Sequence, residues 1–113
     1  MSDSTAELEQ RLAALQIAFA AKLDDRLGEI EAAVRPLAAA GGDTNQALRR
    51  LRDLAHKLSG SGATFGFADL GREAAGLESL CVSVLGQGDG PSPGDKEEIE
   101  GIVERLKSAT DRP

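Results

Sequence analysis

Residues 51–71, "LRDLAHKLSGSGATFGFADLG", hold the one histidine of the chain, His56, and four glycines after it. Ala47, Leu48, Leu51, Leu54, Ala55 and Leu58 recur at helical spacing through and before this stretch and reach on to Gly62 and Phe65. That pattern predicts an amphipathic helix starting at Asp43, with Gln46 three residues on as in a capping box. Glycine inside a helix costs roughly 0.5–1 kcal/mol relative to alanine. Each glycine therefore needs a reason. An α-helix advances about 100° per residue, so with Ala47 at zero the apolar face centres near 40° and His56 falls near 180°. Gly62 lies on the apolar face, where a missing side chain lets a neighbouring helix approach. Gly66 suits a turn. Gly60 lies on the outward face one turn after His56, where its effect is to leave the imidazole open to something large.

Working outward, a turn at Gly66 leads to a second helix with Phe67, Leu70, Ala74, Leu77, Cys81 and Val84 on one face. Phe65 and Phe67 are expected as core and turn anchors, and Cys81 as a small buried apolar residue. The segment 86–94, "GQGDGPSPG", is a loop by composition. Ser92 caps a last helix, with Pro93 at its first position, Asp95 in its first turn and Ile99, Ile102, Val103 and Leu106 buried. A frayed tail is expected after Ser108. Upstream, Ser4 and Glu7 form a capping-box pattern, and Leu8, Leu12, Leu15 and Phe19 open a stripe that continues through Leu23, Leu27, Ile30, Val34 and Leu37. Either one long helix covers residues 5–39 or two helices meet near Asp24 and Asp25; two are preferred, since Asp24 can cap a new start and a long helix would overhang its partners, with Gly41 and Gly42 closing this part. The resulting fold class is all-α: an antiparallel four-helix bundle with an additional N-terminal helical segment packed across or beside it. Residues 1–113 are expected to form one domain.

Composition narrows the function. Aromatic residues make up 3% of the chain, with no Tyr or Trp, which disfavours a β fold. The net charge of −6 argues against nucleic-acid binding through phosphates. No run of some 20 apolar residues exists to span a membrane, and "MSDSTAELEQ" lacks the regions of a signal peptide. A lone cysteine suits a reducing compartment. These features predict a cytoplasmic protein. One histidine and one cysteine on different helices do not make a metal site. A Ser-His-Asp hydrolase needs an oriented base in a cleft, which a convex helix face does not offer. No glycine-rich phosphate loop ending in Lys-Ser/Thr is present, so phosphorylation from ATP is not expected.

An exposed neutral imidazole carries a free lone pair and is a nucleophile. Arg49 and Arg52 fall within about 40° of His56 on the same surface. Between Ala47 and Thr64, Arg49, Arg50, Arg52 and Lys57 face Asp53 alone in the charge balance. Basic groups here favour a phosphoryl group or an acidic partner surface, or else form an ordinary solvated face.

Residues 55–78, "AHKLSGSGATFGFADLGREAAGLE", resemble the signature of histidine-containing phosphotransfer (HPt) domains. His56, Leu58 and Gly60 match its histidine, leucine and glycine; Gly66 and Leu70 match the later pair; Leu77 and Glu78 match its closing "LE". Residues 19–34, "FAAKLDDRLGEIEAAV", resemble the segment that precedes this motif. Many members carry lysine three residues after the histidine; here that position is Ser59, and the nearby lysine is Lys57, about 100° around the helix from His56. The resemblance implies a phosphorelay intermediate. His56 would take a phosphoryl group from a receiver-domain phospho-aspartate and pass it to another receiver. Lys57, Ser59 and Gly60 would shape access and the phosphate environment. Arg49, Arg52, Lys57, Ala63 and Thr64 would meet the partner. The implied partners are response-regulator receivers and a hybrid histidine kinase, with Mg²⁺ in the receiver and no cofactor or metal on this chain. The protein would be a monomeric phosphocarrier without kinase activity of its own. Two other readings are a helical adaptor that binds receivers or kinases without being phosphorylated, and a dimer seamed by Leu8, Leu12, Leu15 and Phe19.

Overall fold

A computed structural model describes residues 2–38 and 43–110. Four helices run in order: α1 Ser2–Ala38, α2 Thr44–Thr64, α3 Ala68–Gln87 and α4 Pro93–Ala109. Helix α1 packs on α2 and α4, and α3 packs on the same two, around one shared core. The arrangement is a four-helix bundle, and its core is made of the stripes read from the sequence. Leu23, Ile30, Leu48, Leu51, Leu58, Leu70, Leu77, Ile99 and Leu106 are all but excluded from solvent.

The ends of α2 and α4 follow from side-chain capping. Asp43 accepts from the backbone N–H of Gln46 at 3.0 Å. Ser92 and Asp95 form a reciprocal capping box, at 3.0 and 2.9 Å, with Pro93 just inside. Helix α2 ends where Gly66 takes a φ of 87°, a left-handed conformation that favours glycine. This lets Phe67 N–H reach back to the Gly62 carbonyl at 2.8 Å, the closing bond of a Schellman motif. The chain thereby reverses tightly into α3. Phe67 is buried and Phe65 half-buried, and the rings of both lie 5.3 Å from that of Phe19, so the turn is anchored on α1.

Four expectations are corrected. Residues 5–39 are not two helices: α1 is continuous through Asp24 and Asp25. Phe19, Leu23, Leu27, Ile30 and Leu37 are buried in one unbroken register, which a capped restart at Asp24 would break. Pro36 lies in the last turn; it cannot donate to the carbonyl four residues back, and α1 runs only two residues beyond it. Second, α1 is already helical at Ser2, so Ser4 lies inside the helix rather than opening it. Third, among the described residues no additional segment is laid across or beside the bundle. The first turns of α1 extend past the α2–α3 turn, with Leu8, Leu12 and Leu15 at 65%, 46% and 52% exposure. The last tie before this extension is Gln16, whose Nε2 donates to the Phe65 carbonyl at 2.8 Å. Fourth, the loop is shorter than 86–94: α3 runs through Gly86 to Gln87 and ends at Gly88, whose φ is 79°. Gly41 and Gly42, and the tail beyond Thr110, lie outside the described residues.

Candidate functional site

Helix α2 buries Ala47, Leu48, Leu51, Ala55, Leu58 and Gly62 and turns the opposite face outward. The His56 side chain is 73% exposed. Its Nδ1 lies 2.9 Å from Oε2 of Glu78 on α3, a carboxylate 30% exposed. A carboxylate accepts and does not donate, so this contact puts a hydrogen on Nδ1. In the neutral ring the lone pair is then on Nε2, the nitrogen turned away from Glu78. The contact favours one tautomer and one orientation of the ring, with the Nε2 lone pair on the side away from Glu78.

The reach of Glu78 depends on how closely α2 and α3 cross. A Cβ on Gly62 would lie 3.1 Å from the Gly71 nitrogen and 3.2 Å from its Cα. A Cβ on Gly71 would meet Ala63 N at 3.2 Å and the Ser59 carbonyl oxygen at 3.3 Å. All of these neighbours are backbone, so a methyl at either position would push the two helices apart by a few tenths of an ångström. His56 and Glu78 stand equal numbers of residues before and after Phe67, which is why an antiparallel pair pivoting there sets them side by side.

The other expected residues fall around His56 in different directions. Gly60 is exposed, and a Cβ there would meet nothing within 4 Å. A shallow groove lined by His56, Lys57, Gly60, Ser61, Thr64 and Phe65 passes over it. Ser59 is half-buried where α2 meets α3, while Lys57 stands on the other flank and lines the groove between α1 and α2. Ala63 and Thr64 are exposed; the Thr64 hydroxyl donates to the Gly60 carbonyl at 2.8 Å. Arg49 is exposed. Arg52 is engaged with its neighbour, Nε and Nη2 lying 3.2 and 3.1 Å from Asp53 Oδ1.

Sequence reasoning quoted Glu78 without giving it a role. The signal was its matched spacing with His56 about the Gly66 turn. It also missed Lys22 and Arg26 of α1, which the bundle brings to the same groove as Lys57. Cys81 is buried, and burial pushes its thiol up to about 11, which keeps it protonated and inert. Among the described residues no group of three or more His, Cys, Asp or Glu side chains could hold a metal ion. No helix among them is long and apolar enough to cross a membrane.

The fold is a four-helix bundle that presents one exposed, carboxylate-held histidine on α2. The chain belongs to the histidine-containing phosphotransfer family: the family model for the Hpt domain matches residues 4–111. Comparison with curated proteins and with solved structures returns no match. Membership gives the chain a phosphotransfer role in two-component signalling, a system in which Hpt domains interact with receiver domains and kinases.

Proposed function

We propose that residues 1–113 act as one monomeric phosphorelay domain in which His56 is the phosphoacceptor. The observation that carries this reading is the exposed imidazole with Nδ1 on Glu78 and Nε2 outward. The Nε2 lone pair attacks the phosphorus of a receiver phospho-aspartate. A P–N bond forms, the acyl P–O bond breaks, and the aspartate leaves as carboxylate. The ring becomes positively charged while keeping its Nδ1 hydrogen, and the Glu78 carboxylate compensates that charge. The reverse attack by the aspartate of a second receiver returns the group. Mg²⁺ belongs to the receiver in this scheme; this chain supplies the nucleophile, its orientation and a docking surface. Gly60 keeps the approach open, which in-line transfer needs if the reacting atoms are to come within about 3–3.5 Å.

Incubation with phosphorylated receivers tests the reading. The parent protein should acquire acid-labile, base-stable label. His56→Gln should acquire none while keeping its helicity and a stability within about 0.5 kcal/mol, as surface substitutions do. Label on the variant would remove His56 from the role. Receiver binding without any label on the parent would favour the adaptor reading instead.

A further inference from the structure

Some lysines and arginines of the described residues are paired with carboxylates and the rest are not. Arg52, Arg72, Arg105 and Lys107 are each within ion-pair distance of a carboxylate. Among the described residues Arg11, Lys22, Arg26, Arg35, Arg49, Arg50, Lys57 and Lys96 are not, and of these Lys22 and Arg26 of α1 and Lys57 of α2 line one groove of about 500 Å³ between the two helices. Asp25 and Glu29 line the same groove but leave the three cations unpaired. Arg26 is also fixed in place: its guanidinium carbon stands 5.6 Å from the centroid of the Phe19 ring, in cation–π range. An arginine held by an aromatic ring without a carboxylate keeps its donors free for another partner.

Lys57 belongs to this groove and also to the shallow one that passes over Gly60 beside His56. The two grooves therefore meet at the residue next to the nucleophile. Because α1 is one continuous helix, Lys22 and Arg26 are held at a fixed distance from His56 rather than on a separate mobile segment.

We infer that the α1–α2 groove, through Lys22 and Arg26 together with Lys57, is a docking surface for an acidic segment of the receiver domain. This rests on the phosphotransfer reading above. Helix α1 is thus a recognition element as well as a wall of the bundle. Its cations act on encounter and orientation, not on the reacting atoms, since charges at the rim of a contact change association rate and its salt dependence. An acidic protein segment is the fitting partner because the three cations of the groove outnumber the two carboxylates, Asp25 and Glu29, that share it.

The test uses the receiver that labels the parent protein, and the double variant Lys22→Gln/Arg26→Gln. Its association rate with that receiver at low salt should fall about tenfold, with a shallower dependence on ionic strength. Transfer at saturating receiver and labelling by phosphoramidate, a donor too small to span the groove, should match the parent. An unchanged association rate and salt slope would overturn the inference. So would an equal loss with phosphoramidate, which would place the effect at His56 itself. If the double variant melts lower because Phe19 loses its cover, Lys22→Glu, at an exposed position, gives the same readout without that packing change. A parent protein that takes label from no receiver would defeat the phosphotransfer reading, and the inference with it. Parent labelling with an unaffected variant defeats the inference alone.

Discussion

Glu78 acts on the candidate nucleophile through one contact, the 2.9 Å approach of its Oε2 to His56 Nδ1. Two effects follow from it, fixing the tautomer and compensating the charge that develops on the ring. Glu78→Gln keeps an acceptor oxygen of similar reach but removes the charge, whereas Glu78→Ala removes both. A hydrogen bond to a charged group contributes about 1.5–3 kcal/mol, and His56 is largely exposed, so the lower end applies. Labelling by phosphoramidate should therefore fall about tenfold in Glu78→Ala, since about 1.4 kcal/mol corresponds to a factor of ten. The loss should be smaller in Glu78→Gln. Nitrogen chemical shifts of His56 should show the Nε2–H tautomer gaining population in Glu78→Ala. An unchanged tautomer ratio would mean that Glu78 does not orient the ring. None of this was visible in the periodicity around His56, which gave the outward direction of the side chain but not the neighbour that holds it.

At the scale of the element, Gly60 and Gly71 look alike in sequence and differ in space. Gly60 faces open space, and Gly71 faces the backbone of α2. Gly60→Ala should stabilise by about 0.4–1 kcal/mol, mostly by restricting the unfolded chain. Gly60→Gln should melt no lower than the parent yet accept phosphoryl groups from a receiver much more slowly, with a smaller effect on phosphoramidate. Gly71→Ala drives a methyl onto Ala63 N and the Ser59 carbonyl, so the helices must part, at a cost of about 1–3 kcal/mol. Parting α3 from α2 also draws Glu78 off His56, so Gly71→Ala should shift the His56 tautomer as Glu78→Ala does. Thermal melts and the same nitrogen shifts check both. A Gly71→Ala protein as stable as its parent would show that the close crossing is not required. Gly62 was legible as a core glycine because it sits on an apolar stripe. Its partner Gly71 was not, because a glycine beside the stripe of α3 carries no signal until α2 is laid against it.

The whole molecule measures 60 × 22 × 19 Å, with a Cα radius of gyration of 16.2 Å. A compact chain of this length has a radius of roughly 13 Å. The excess comes from α1, which at 37 residues spans about 55 Å against about 30 Å for α2 or α3. The turns before Gln16 add length without burying the leucines they carry. Deleting residues 1–14 should thus leave the melting temperature within a few degrees and bring the radius of gyration toward roughly 13 Å in X-ray scattering. It should also leave receiver-dependent labelling intact. A fall in melting temperature of about 10 °C or more would mean that Leu8, Leu12 and Leu15 are covered in solution. Concentration-dependent sedimentation of the full chain, lost on truncation, would identify a second copy as the cover and overturn the monomer.

By itself the sequence determined the four apolar stripes, the caps at Asp43 and Ser92, the reversal at Gly66 and the outward direction of His56. Each is set by residues within a few positions of one another, where helical geometry and backbone conformation decide. Local rules failed in α1. Asp24 is a competent cap and Ser4 with Glu7 a competent capping box, yet neither starts a helix. An unbroken α1 keeps Phe19 to Leu37 in one register against α2 and α4, and that burial outweighs a single capping bond. Only the tertiary structure set Glu78 on His56, paired Gly62 with Gly71, and gathered Lys22 and Arg26 beside Lys57. Those relations join residues on different helices. Their distances depend on how the helices cross, and the crossing is fixed by the summed packing of the core rather than by any short stretch of chain.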